Sequence, residues 1–196
     1  MTLEEITSLE YEWMSKHPYG AFTYPEKLDA LCEQMGIYDA WRMIFREYVS
    51  LVRQGNLEAL KRALFLLWYE CSEPNELSGI KELDRQLVKE VLGITNDMVK
   101  RGVIDIELKW MIPFYYHIAD FYLDRFDGFD ELKKISKENK NLYETECPKS
   151  SFENRGQLGE YWDGIQINIK TWGPEGPPPP PPGWTSRKRL EDLGTQ

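Results

Sequence analysis

The stretch Ala63-Leu64-Phe65-Leu66-Leu67-Trp68 constrains this chain more than any other. A helix built from it is apolar on nearly all sides, and such a helix has to be enclosed by other elements. Asn56 is placed to cap it and Pro74 to close the segment after Cys71. The spacing therefore predicts a central helix over about Leu57 to Cys71, surrounded by the rest of a helical domain.

The flanking sequence supplies the enclosing helices. Thr2 and Glu5 form a capping-box pair before Ile6, Leu9 and Trp13 at helical spacing. Pro25 suits the first turn of a second helix, whose apolar face is Leu28, Leu31, Cys32 and Met35. A third runs from Ile37 to Gln54, with Ile37, Ala40, Trp41, Ile44, Phe45, Tyr48, Val49 and Val52 as a wide stripe. A fifth is expected along Ile80, Leu83, Leu87, Val91, Ile94 and Met98, with Gly93 and Thr95 as weak points. Asp105 caps a sixth, apolar on most of its circumference. Its stripes are Ile106, Trp110, Phe114, Phe121 and Leu108, Met111, Tyr115, Ile118, Tyr122, with Pro113 inside it. Asp130 opens a short seventh through Ile135 and Lys137.

The composition shifts near residue 140. Eight of the twelve prolines lie in 140–196, six of them consecutive at Pro177 to Pro182. That run imposes a polyproline II rod of about 19 Å. Ile165, Ile167 and Ile169 alternate with Gln166, Asn168 and Lys170, which is the period of a strand. Three tryptophans, Trp162, Trp172 and Trp184, surround these features, so the arm is expected to dock on its own domain or on a second copy. The expected organisation is an all-α fold. It is a compact bundle of about six or seven helices over 1–139, followed by an extended Pro/Trp-rich arm over 140–196 with room for one short β-strand.

Charge narrows the function. A formal net charge of −9 would repel nucleic acid and anionic lipid. No apolar run is long enough for a bilayer span. Three cysteines, an odd number, fit a reducing compartment rather than a disulfide scaffold. Glu4, Glu5, Glu10 and Glu12 at the start do not match a targeting segment, so a cytoplasmic protein is expected.

Chemistry-bearing residues are sparse. Glu70 and Glu73, with His117 and Asp120, stand three apart on two helices and could converge on a divalent metal. Against that, the paired Glu-x-x-His of di-metal bundles is absent, and His117 between Phe114 and Phe121 reads rather as a buried histidine with one hydrogen-bond partner. Only His17 and His117 are available to activate a nucleophile. Cys32 and Cys71 fall on apolar faces, and Cys147 lies in a polar loop. No phosphate-binding glycine motif is present. Arg42, Arg46 and Arg53 share one side of the third helix and suit either an acidic partner or the chain's own carboxylates.

Asp120, Asp124, Asp127, Asp130 and Glu131 crowd the end of the sixth helix, where like charges cost stability unless a basic surface meets them. The expected function is accordingly a non-catalytic protein–protein interaction protein, an acidic inhibitor or immunity-type protein for a basic partner. The comparison with immunity proteins is one of charge and size. The partner-binding residues expected are those five carboxylates with Trp162, Trp172 and Trp184, and the arm offers a route to a homodimer. No cofactor, nucleic acid or membrane is expected. The alternative is a small metal-assisted bundle enzyme using Glu70, His117 and Asp120.

Overall fold

The computed structural model describes residues 1–19, 24–138 and 152–172, without the side chains of 138 and 166–172. Among the described residues there are ten helices and no strand: α1 Leu3–Lys16, α2 Pro25–Gln34, α3 Ile37–Arg53, α4 Leu57–Ser72, α5 Asn75–Ser78, α6 Arg85–Lys100, α7 Ile106–Ile118, α8 Phe121–Asp124, α9 Asp130–Glu138 and α10 Gly156–Trp172. The all-α expectation holds. None of these helices is long and apolar enough to cross a membrane.

Local signals set most boundaries. The Thr2 hydroxyl accepts from Glu5 N at 3.2 Å and Glu5 Oε2 accepts from Thr2 N at 2.8 Å, closing both halves of the capping box. Asn56 and Asp105 cap α4 and α7 through the Ala59 and Leu108 amides. Helix α4 is central. Trp68 stacks on Tyr115 of α7 with ring centroids 4.6 Å apart, and Phe65 and Trp68 both meet Tyr161 of α10. Every residue from Ala59 to Trp68 is buried.

Four expectations need correction. The fifth helix of the sequence reading begins at Arg85, not Ile80. Asp84 captures the Gln86 and Leu87 amides, while Ser78 and Asn75 bond the Ile80 backbone, so Ile80 and Leu83 enter the core from a non-helical segment. Gly93 and Thr95 do not break it: α6 runs through both, with the Thr95 hydroxyl donating to the Val91 carbonyl at 2.8 Å.

The sixth helix stops at Ile118 and α8 follows as a separate turn. Ala119 (φ −147°, ψ 72°) resets the chain so that Tyr122 and Leu123 turn inward and Phe121 outward. Phe121 is 52% exposed and is not a core residue.

The possible strand at Ile165–Ile169 is helical backbone inside α10. The alternation covers only five residues. The pattern Leu158, Tyr161, Trp162, Ile165 begins earlier and has the 3.6-residue period, and all four side chains pack on the core. Residues 156–172 are thus helical rather than extended, and α10 lies against α1, α4 and the aromatic residues of α7. The polyproline run 177–182 lies outside the described residues.

Candidate interaction surface and buried charge network

The five carboxylates singled out in the sequence are all exposed. Asp120 precedes α8, Asp124 ends it, Asp127 lies in the turn, and Asp130 and Glu131 open α9. Asp124 accepts from the Tyr116 hydroxyl at 2.9 Å, and Lys137 sits 5.4 Å above the Tyr116 ring. The same stretch of chain exposes two apolar side chains, Phe121 and, at the end of α7, Ile118 at 46% exposure. Sequence periodicity had assigned both to the core. The break at Ala119, which turns Phe121 onto the surface, has no local signal, and Ile118 is exposed as the last residue of α7.

The tryptophans separate. Trp162 is fully buried against Trp110 and Phe114, at centroid distances of 4.5 and 4.7 Å, and its Nε1 donates to Tyr115 Oη at 3.3 Å. It fastens α10 to its own domain and presents nothing to a foreign partner. The side chain of Trp172 and all of Trp184 lie outside the described residues.

The metal-site candidates do not converge. Glu70 accepts from the Leu83 amide at 2.8 Å and has Arg125 at 3.8 Å. His117 and Asp120 are exposed at the far end of α7. Glu73 is the C-cap of α4. Among the described residues no three His, Cys, Asp or Glu side chains are grouped so as to hold a metal ion.

Two of the three stripe arginines are occupied at home. Arg42 pairs with Asp39 at 2.8 Å and donates to the Lys81 carbonyl, and Arg53 holds Glu90 through two bonds of 2.7 Å. Arg46 is exposed.

Two arrangements were not foreseen from the sequence. The first joins Cys32 and His17, with Sγ 3.8 Å from Nε2. Burial pushes the Cys32 thiol up and pulls the His17 imidazole down, which disfavours a thiolate–imidazolium pair. Cys32 is wholly buried, as its apolar position led us to expect.

The second is a charge network in the interior. Arg155, just before α10, grips Glu58 of α4 through two bonds of 2.7 Å and also bonds Glu107 of α7. Lys61 bonds Glu107 and lies 2.5 Å from Asp105. Arg62 donates to Glu58 at 3.0 Å, Thr7 Oγ1 at 2.6 Å, Tyr48 Oη at 3.2 Å and the Asn154 carbonyl at 3.2 Å. Glu10 of α1 completes the set, 1% exposed and 3.7 Å from Arg62. Burial works against the three cations, but their surroundings outweigh it and raise all three, the carboxylates for Lys61 and Arg155, and Tyr48 with Glu10 and Glu58 for Arg62. Glu10 behaves oppositely. Burial pushes its carboxyl up to about 7, against the pull of Arg62, the Tyr48 hydroxyl and the Gln157 amide.

A cavity of about 390 Å³ opens beside this network, lined by Tyr11, Phe152, Glu153, Asn154, Glu160 and Asp163. No family model, curated protein or solved structure matches the chain.

Proposed function

We propose that this protein acts by binding, as an interaction protein whose acidic surface receives a basic protein partner. The observation that carries this reading is that Asp120, Asp124, Asp127, Asp130 and Glu131 are all exposed in the segment that also exposes Phe121. Protein interfaces combine an aromatic anchor with a polar rim, and aromatic side chains are over-represented among the residues that dominate binding energy. This segment supplies both. The carboxylates steer a positively charged partner, while Phe121 and Ile118 supply apolar area to bury on contact. The cations Lys61, Arg62 and Arg155 support the same reading from the other side, since each bonds a carboxylate of the network.

The test is affinity capture from the source cells with wild-type protein, Phe121→Ala and the pair Asp124→Lys with Asp127→Lys. The expected result is a basic protein retained by wild type and lost or strongly reduced with both variants. Its association rate should fall with added salt for wild type and depend less on salt for the charge-reversed pair. A partner retained equally by all three proteins removes this surface from the account.

A further inference from the structure

The interior network holds four carboxylates, Glu10, Glu58, Asp105 and Glu107, against three cations, Lys61, Arg62 and Arg155. One negative charge is in excess, and the geometry identifies which. Glu58, Asp105 and Glu107 each have a cation at bonding distance, whereas Glu10 Oε2 is buried with no hydrogen-bond partner. A proton on Glu10 neutralises the set.

Glu10 lies against one particular piece of chain. Gly156, at φ +60°, passes so close that a Cβ there would stand 1.4 Å from Glu10 Oε2. Asn154 also has a positive φ, 58°, so residues 152–157 form a turn that needs outside contacts to hold it. Those contacts are Arg62 on the Asn154 carbonyl, Arg155 on Glu58 and Glu107, and Gln157 on the Ser78 carbonyl. The groups facing Glu10 are Tyr11 on its own helix, Tyr48 on α3, Glu58 and Arg62 on α4, and the Gln157 amide on α10.

We propose that the turn 152–157 is a proton-operated clasp, closed over the base of α10 while Glu10 carries a proton and loosened when it does not. Arg62 is the shared part. It holds the Asn154 carbonyl while keeping Glu10 at 3.7 Å, outside bonding distance. An ionised Glu10 draws the guanidinium toward itself and away from Thr7, Tyr48 and Asn154. The clasp opens locally, because Trp162 and Leu158 keep α10 seated. Phe152, Glu153 and Asn154 also line the cavity beside Tyr11, so its wall changes with the clasp. The direction follows from the burial that raises Glu10. The closed turn binds the proton more tightly than the open one, so opening rises with pH between the ordinary carboxylate range and about 7, then levels off.

Hydrogen exchange of the full-length protein, corrected for intrinsic rates at pH 5, 6, 7 and 8, tests this. Opening of the 152–157 amides should rise roughly tenfold per pH unit between 5 and 7 and flatten above, with α3 amides unaffected. Glu10→Gln, uncharged throughout, should give a flat profile. Equal protection across the range in wild type, or the same rise in Glu10→Gln, overturns the clasp. A carboxyl carbon titration of Glu10 in wild type decides the matter even if the variant misfolds. A midpoint near 7 supports the proposal, and one in the ordinary carboxylate range overturns it.

Discussion

Replacing Arg155 with alanine is expected to be among the costliest single changes in this fold. The guanidinium makes two bonds to Glu58 and one to Glu107, and stands 5.2 Å over the Phe152 ring. Its removal leaves Glu107, whose side chain is 3% exposed, sharing Lys61 with Asp105, and leaves Glu58 with Arg62 alone. Breaking a buried ion pair from one side costs about 3–5 kcal/mol, because the other charge stays buried without compensation. For a domain of this size each kcal/mol lowers Tm by about 2–4 °C, so a fall on the order of 10 °C is expected. Urea unfolding at pH 7 measures the cost directly.

The pH dependence gives a second readout. Burial pushes the Glu58 carboxyl up, but the bonds and charge of Arg155, with Arg62, outweigh it and hold it below the ordinary range. A group with a depressed folded pKa stabilises above its unfolded pKa, and that contribution is lost as pH falls through the folded value. The deficit of Arg155→Ala against wild type should therefore narrow below about pH 4. Arg155→Lys, keeping the charge without the two-pronged grip, should fall between the two. A cost under about 1 kcal/mol at pH 7, or a deficit unchanged by acid, would refute the view that this network holds α10 in place.

The surface and core assignments are checked by three further changes. Phe121→Ala should unfold within about 0.5 kcal/mol of wild type, since half the side chain is in water, whereas Trp68→Ala and Trp162→Ala should each cost about 3–5 kcal/mol. Denaturation curves separate the two classes. Cys32 should resist a thiol reagent until the domain unfolds, because its thiol is buried and pushed up, and rapid labelling in native buffer would show that the His17 contact opens.

Helices whose signals are local were legible in the sequence. Thr2 with Glu5, Asn56, Pro25 and Asp105 each act within four residues, and the stripe from Ile37 to Val52 repeats often enough to fix its own period. The errors have a common physical origin. Phe121 fits the apolar stripe of α7, but a non-helical residue at Ala119 rotates everything after it. Ile165, Ile167 and Ile169 alternate, but Leu158, Tyr161 and Trp162 had already set a helical phase against α4 and α7. Glu58 and Arg155 are 97 residues apart, and no periodicity relates them. What the sequence did carry was an anomaly. Glu10 stands four residues after Ile6 on the face of α1 that turns inward, and Lys61 and Arg62 lie within the apolar first half of α4. A charge on an apolar face needs a partner, and three such charges in one domain point to one another.

The network also bears on where the net charge resides. It sets three positive against four negative groups, so nearly all of the formal −9 belongs to the rest of the chain. Protonation of Glu10 makes the interior neutral without altering that outer balance. Electrostatic steering depends on unneutralised exterior charge and fades beyond about 8 Å at physiological salt. The two ion systems are therefore separable by experiment. Salt should weaken what the acidic segment with Phe121 does and leave the buried grip of Arg155 on Glu58 and Glu107 almost untouched. The proton on Glu10 should govern the turn at 152–157 at any ionic strength. A salt titration of stability that tracked the salt dependence of partner capture would show that both effects come from the surface, and would remove the interior network from the account of how α10 is held.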